Sequence, residues 1–103
     1  MHITKHAYKR AKERCGLKRK SLDRILTIAI ERGLTQEDCK GFLLKWVNHV
    51  YVSYENGSNM RIYGEHLFIC DHWQLITIYL VPNHLKKASN RQLHKKNLAI
   101  SEK

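Results

Sequence analysis

The amino-acid sequence predicts an α+β protein: three N-terminal helices followed by a four-stranded antiparallel β-meander, with a basic C-terminal tail. Apolar residues recur with a helical period up to about residue 49, and from there to residue 81 they alternate as in β-strands. The single proline, Pro82, separates the apolar part of the chain from a polar, basic segment. We therefore expect one domain over residues 1–82, with the helices on one face of the sheet, and a tail over residues 83–103.

Helix boundaries are marked by capping residues. The first helix is expected over residues 4–15, because Thr4 can cap its N-terminus and Gly16 can adopt the left-handed conformation that ends helices. A stripe of leucine, isoleucine and alanine predicts the second helix over residues 19–32. The third helix is expected to begin at Thr35, where the sequence TQED resembles a capping box.

The strands are inferred from alternating apolar residues bounded by turn sequences. The turns are ENGS, YGEH and DHWQ, each rich in residues that favour turns. Pro82 ends the last strand because it has no N–H to donate to a neighbouring strand. The tail is expected to be a frayed helix or a disordered arm. The predicted strands lie near residues 50–55, 59–63, 66–70 and 75–81.

The net charge of +10 is concentrated at the two ends of the chain. Residues 1–20 hold eight Lys or Arg and one Glu, giving a charge of +7. Residues 83–103 hold six Lys or Arg and one Glu, giving a charge of +5. Residues 21–82 hold five basic and seven acidic residues, giving −2. Basic segments around a nearly neutral body favour a polyanionic partner such as nucleic acid. A contribution to solubility alone is the alternative.

Cysteine usage and hydropathy indicate the compartment. The three cysteines, Cys15, Cys39 and Cys70, are widely spaced and odd in number, which predicts free buried thiols in a reducing environment. The sequence has no apolar run of about 18 residues, so we expect no membrane association. Charged residues occupy the N-terminus where a signal peptide needs an apolar stretch. A cytoplasmic location follows.

The first helix separates its basic residues by type. His6, Arg10 and Arg14 recur every four residues and fall along one border of the apolar stripe, whereas the lysines at positions 5, 9 and 12 face solvent. Arginine can grip a phosphate with two N–H groups, and histidine exchanges protons near neutral pH. The alternative is structural, with the arginines paired to Glu13 or Glu37 and His6 an ordinary boundary residue.

Two predicted strands carry polar side chains at alternate positions. Arg61 and Tyr63 alternate with aliphatic residues in MRIYG, and Thr77 and Tyr79 do so in LITIYLV. We expect these four side chains to share one sheet face and to form a cluster across the strands. A polar face that simply meets water is the alternative. His6 would reach this cluster only around an edge or an end of the sheet.

The strings ITKHAYKRAKERCG, MRIYGEHLFI and LITIYLVP resemble small bacterial and phage-borne members of the barnase/EndoU/colicin/RelE-like nuclease superfamily. The resemblance covers residues 3–82. It implies N-terminal helices before a four-stranded antiparallel sheet, and a toxin-type ribonuclease that works without metal. The positions matching the family are His6, Arg10 and Thr77, and weaker candidates are Lys5, Arg14, Arg61 and Tyr63.

The chemistry implied is cleavage through the ribose 2′-OH, with a 2′,3′-cyclic phosphate as product. His6 would act as base or acid, Arg10 and Arg61 would hold the phosphate, and Thr77 would donate a hydrogen bond to it. No metal or other cofactor is expected. Further residues are predicted to contact the nucleic acid: Lys5, Arg14, Lys18, Arg19, Lys20, Tyr63, Trp73, Tyr79, Lys86 and Lys87.

Other functions remain open from the sequence. His66, Cys70 and His72 approach a metal-ligand spacing, but a zinc site needs a fourth ligand, so a packed thiol is the preferred interpretation. A non-catalytic nucleic-acid or ribonucleoprotein-binding module would use the same fold, and one such role is a phage-encoded inhibitor of a host nucleic-acid machine. A protein-binding module would use the basic ends to hold an acidic partner such as an antitoxin.

Overall fold

The computed structural model describes residues 1–53, 57 and 59–101. These residues form four α-helices and one four-stranded sheet, with helices at both ends of the chain and three of the strands between them. The helices are α1 (Lys5–Cys15), α2 (Arg19–Arg32), α3 (Gly41–Tyr51) and α4 (Lys86–Ser101). The strands are β1 (His2–Ile3), β2 (Asn59–Tyr63), β3 (His66–Asp71) and β4 (Gln74–Leu80).

The predicted caps position the first helices. The Thr4 hydroxyl accepts the backbone N–H of Ala7 at 3.1 Å, and Gly16 ends α1 with φ +65°. Thr35 and Asp38 form the capping box that TQED predicts, but it closes a 3₁₀ turn and α3 starts only at Gly41. Capping chemistry therefore marks a helical turn correctly without fixing how far the helix continues.

The sheet is mixed, so the predicted antiparallel meander is wrong. Its strand order is β1-β4-β3-β2, and β1 pairs parallel to β4 while the other neighbours are antiparallel. The His2 N–H donates to the Trp73 carbonyl at 2.8 Å. A strand of two residues, paired to a segment some 70 positions later, has no alternation from which the sequence could predict it.

The predicted strand over residues 50–55 is also wrong in the part that the structure describes. Val50 and Tyr51 are the last residues of α3, and residues 52 and 53 form a turn. Residues 54 and 55, and the predicted ENGS turn except residue 57, lie outside the described residues. Val50 and Tyr51 follow Val47 at helical spacing and pack with it into the core, which outweighs their preference for strands.

The basic C-terminal segment is a helix, which is one of the two alternatives that the sequence leaves open for it. A 3₁₀ turn at Asn83–Leu85 leads from Pro82 into α4. Lys96 binds back to the body of the protein, with its ammonium 2.6 Å from Asp38 Oδ2 and 2.8 Å from the Gly33 carbonyl oxygen. Leu85 is buried at the base of this helix. This helix is therefore attached to the body of the protein through Leu85 and Lys96.

Helices cover both faces of the sheet, whereas the sequence prediction placed them on one. On the first face, Phe68 and Ile78 pack against α1 and α2. On the second face, Ile62 and Ile69 pack against α3 and Leu85. Within the described residues, no helix is long and apolar enough to cross a lipid bilayer.

Candidate nucleic-acid interface

Arg14, near the end of α1, is fixed to the edge of β4 that faces away from β3. Its Nη1 donates to the Thr77 hydroxyl at 3.3 Å and to the Ile78 carbonyl at 3.2 Å, and its guanidinium lies 4.1 Å from the centre of the Tyr79 ring. Thr77 is fully buried, so its hydroxyl is enclosed by the protein and accepts from Arg14. The contact holds one end of α1 beside the strand.

The edge of β4 is available because β1 is short. Among the strands that the structure describes, β1 pairs only with Gln74 and Leu75, and no other strand lies beside β4 on that side. At its start, α1 is tied to the same strand through the Thr4 hydroxyl, which donates to the Leu75 carbonyl at 3.1 Å. Contacts at Leu75 and Ile78 therefore make α1 follow the β4 edge.

His6 and Arg10 form a pair on the outer side of α1. Arg10 Nε lies 3.4 Å from His6 Nε2, and Arg10 Nη1 lies 2.9 Å from Glu13 Oε2. His6 is exposed and Arg10 is partly buried. Eight residues separate His6 from Arg14, or about 12 Å along the helix axis. The imidazole therefore lies apart from the Arg14–Thr77 contact.

The solvent-facing half of α1 is strongly basic. Its single acid, Glu13, lies near two cations, at 2.9 Å from Arg10 and 3.8 Å from Lys9. The basic side chains continue past the end of the helix, where Arg19 stacks on Tyr8 at 4.3 Å. We call this the α1 basic surface, and it consists of Lys5, His6, Lys9, Arg10, Lys12, Lys18, Arg19 and Lys20.

The predicted cluster of four polar side chains on one sheet face is wrong. Arg61 pairs with Phe68, which pairs with Ile78, whereas Thr77 pairs with Ile69. Directly paired residues point to the same side of a sheet and sequence neighbours point to opposite sides. Arg61 and Tyr63 therefore lie on the face of α1 and α2, and Thr77 and Tyr79 on the other. The prediction failed because both faces are apolar, which hides the relative register of the two strands.

Arg61 lies instead in a polar niche beside α2. Its Nε donates to the Ile30 carbonyl at 3.4 Å, and its Nη1 donates to the Met60 carbonyl at 2.8 Å and to the Asn59 side chain. Among the described residues, no carboxylate pairs with it. Asn59 was not a predicted site residue, although its position two residues before Arg61 on a strand places both on one face.

The remaining predicted contact residues have different surroundings. Trp73, at the tip of the β3–β4 hairpin, is 80% exposed. Lys86 lies 3.5 Å from Glu65, while Lys87 is exposed. Tyr63 packs against the core between the sheet and helices α1 and α2. The two basic ends of the chain therefore differ, because the C-terminal one has lysines in ion pairs with acids of the body and the α1 basic surface has one acid of its own.

The cysteines and histidines do not build a metal centre. The described residues contain no group of three or more His, Cys, Asp or Glu side chains that could hold a metal ion. Burial raises the pKa of the Cys70 thiol to about 11, although nearby Arg61 opposes the shift, and burial lowers the pKa of His66. Cys70 is therefore a protonated, packed thiol at neutral pH.

The fold and this surface define a small α+β protein with a mixed sheet between two helical layers and a basic helix along one sheet edge. The chain matches no family model, no curated protein and no solved structure.

Proposed function

We propose that this chain binds RNA through the α1 basic surface. The observation that carries the proposal is the imbalance of charge there: residues 1–20 hold eight Lys or Arg and one Glu. A phosphate backbone is the partner that such a surface suits, because each neutralised phosphate releases counterions. RNA is preferred over other polyanions because the sequence resembles ribonuclease toxins. Three free thiols suit a cytoplasmic setting for this activity.

Rigid attachment of α1 supports this role. Arg14 and Thr4 tie its two ends to β4, so the outer side chains are presented on a fixed helix. Fixed cations lose less conformational freedom on binding than cations on a flexible arm. The C-terminal basic segment is a weaker candidate, because Lys86 and Lys96 already pair with acids.

Binding is tested by fluorescence anisotropy with a labelled single-stranded RNA at several salt concentrations. Replacing Lys5 and Lys12 by Gln removes two exposed cations of the surface, and we expect about tenfold weaker binding and a salt slope smaller by about 1.4. The matched control replaces Lys40 and Lys45, which are also exposed but lie at α3. Equal losses in both double variants, or salt-independent binding, would contradict the proposal.

A metal-independent ribonuclease is the second candidate, and the His6–Arg10 pair favours it. In that mechanism, Arg10 turns from His6 to the phosphate, the freed Nε2 of His6 takes the proton of the ribose 2′-OH, and the 2′ oxygen attacks phosphorus. Arg10 stabilises the charge that develops on the phosphoryl oxygens. The bond between phosphorus and the 5′ oxygen breaks, water supplies the proton that the 5′ oxygen takes up, and a 2′,3′-cyclic phosphate remains. Arg61 has no part in this site, since it lies beside α2.

Catalysis is tested by incubating RNA with the protein in EDTA. Fragments ending in cyclic phosphate should form with the wild type and with His49→Ala, an exposed histidine on α3, and should vanish with His6→Ala. His6→Ala should still bind RNA. Unchanged cleavage by His6→Ala would exclude His6 as the base, and intact RNA in every sample would leave binding as the function.

A further inference from the structure

We infer that a groove beside the β3–β4 hairpin binds one unpaired nucleotide of the RNA, with its base on Trp73 and its phosphate at Arg61. The inference rests on the proposed RNA binding and adds a second contact outside the α1 basic surface. The groove has a volume of about 660 Å³, within the range of about 300–1,000 Å³ typical of small-molecule sites. It is lined by Met1, Ile30, Asn59, Arg61, His72 and Trp73.

Trp73 provides an exposed aromatic surface. The indole is 80% exposed, although aromatic side chains gain much from burial. Its backbone is held on both sides, because Trp73 lies in a two-residue turn between β3 and β4 and its carbonyl accepts the His2 N–H at 2.8 Å. Bases stack on such exposed aromatic rings in single-stranded RNA recognition.

Arg61 provides an anion-binding group at the same groove. The hydrogen bonds described for it use Nε and Nη1, and all their acceptors are neutral oxygens. A guanidinium has five N–H donors, so Nη2 retains donors for a phosphate oxygen. The three bonds to Ile30, Met60 and Asn59 fix the plane of the guanidinium before any ligand arrives. Within the part of the chain described, its charge is not matched by a carboxylate.

The groove also adjoins the α1 basic surface along the chain. Met1 lines the groove, and Lys5 begins α1 four residues later, after β1 has anchored the segment to the sheet. Four extended residues span at most about 14 Å. A strand of RNA held by phosphate contacts on α1 can therefore extend an unpaired nucleotide toward Trp73 and Arg61. A neutral peptide would stack on the indole but would offer no anion to the Arg61 guanidinium.

The test uses the ¹⁵N-labelled protein, whose two tryptophans give two indole N–H signals in NMR spectra. Adenosine 5′-monophosphate should shift the Trp73 signal and leave that of Trp46, which is packed beside the second core, unchanged. Adenosine should bind at least fivefold more weakly, and inorganic phosphate should not shift the indole. An unmoved Trp73 signal, or the same shift with phosphate alone, would overturn the inference.

Variants separate this inference from the proposed function. Trp73→Leu should weaken binding of single-stranded RNA about tenfold without changing the salt slope, because stacking releases no counterions. Arg61→Lys should reduce the preference for the monophosphate over adenosine. If RNA binding depends on salt but Trp73→Leu does not weaken it, the groove is not a nucleotide site and the proposed RNA binding by α1 stands. If the monophosphate shifts the Trp73 signal but the protein binds no RNA, the proposed RNA binding is wrong and the groove is a mononucleotide site.

Discussion

The guanidinium of Arg14 lies 4.1 Å from the centre of the Tyr79 ring, and its Nη1 lies 3.2 Å from the carbonyl oxygen of Ile78. One side chain thus satisfies an acceptor on the edge of β4 that faces away from β3 and covers the aromatic ring of the next residue. Edge strands expose such groups and can pair with other chains unless something covers them. Arg14 performs this covering while it holds α1 in place for the proposed RNA contact.

Replacing Arg14 should therefore lower stability more than replacing another stacked arginine. Arg14→Lys keeps the charge but loses the planar stack and one of two hydrogen bonds, and we expect a loss of about 1–2 kcal/mol in the free energy of unfolding. Arg19→Lys is the control, since Arg19 also stacks on a tyrosine, at 4.3 Å, but is exposed. Urea denaturation measures both, and equal losses would count against an edge-covering role.

Gly33 should not tolerate a side chain. A Cβ there would lie 2.5 Å from the Ala29 carbonyl oxygen and 3.0 Å from the Ile62 carbonyl oxygen, both backbone atoms. Gly33→Ala should destabilise the protein by about 2–3 kcal/mol and loosen the bridge between Leu34 and Ile62. Thermal unfolding and amide exchange at Ile62 check this.

At Gly16 a side chain is opposed by the backbone conformation rather than by close neighbours. A Cβ at Gly16 meets nothing within 4 Å, and only its φ of +65° opposes a substitution. Gly16→Ala should cost about 1 kcal/mol, and Gly16→Asn less, because asparagine tolerates the left-handed conformation. If Gly33→Ala lowered the free energy of unfolding no more than Gly16→Ala does, the close approach of α2 to β2 would not limit the residue at position 33.

Asp38 should make stability depend on pH. Burial by itself raises the pKa of this carboxyl, but hydrogen bonds from Lys96 and Thr35 outweigh it and hold the pKa below the ordinary 3.8. The ionised form therefore contributes stability above pH 3.8, and this contribution is lost as the pH falls through the lowered folded pKa.

Asp38→Asn should lower the free energy of unfolding by about 1–2 kcal/mol at pH 7 and by clearly less at pH 2. Glu37→Gln, an exposed neighbour in the same turn, is the matched control and should change little at either pH. Chemical denaturation at the two pH values provides the comparison. A deficit of the same size at both pH values would show that the charge of Asp38 does not contribute.

The thiols should be unreactive in the folded protein. Burial raises the pKa of Cys39 and of Cys70 to about 11, with Asp38 adding to the shift at Cys39. Burial also raises the pKa of Cys15, although Arg14 opposes the shift, and Cys15 is only partly covered. Ellman's reagent at pH 7.5 should therefore label Cys15 slowly, and Cys39 and Cys70 only on unfolding. In the Cys15→Ser variant the slow labelling phase should disappear. Fast labelling of Cys39 and Cys70 in the folded protein would contradict their burial.

Local sequence signals predicted much of the secondary structure. Thr4 and Gly16 bound α1 as expected, because a cap depends on a few neighbouring residues. The strand expected over residues 59–63 matches β2. The basic surface of the first helix was also predictable, since helical periodicity places its lysines outward. The end of α3 was not predicted, and the sequence left open whether residues 83–103 form a frayed helix or a disordered arm, because both features depend on core packing from distant segments.

By itself, the sequence determined the helix caps of α1, the alternation of the central strands and a basic first helix, which all follow from residues within a few positions of each other. Only the tertiary structure decided that β1 joins β4, that helices cover both sheet faces and that Arg61 lies across the sheet from Thr77. These features depend on strand register. A shift of one residue in the strand register moves every side chain to the opposite face of the sheet. When both faces are apolar, the sequence near a strand does not indicate which register is adopted.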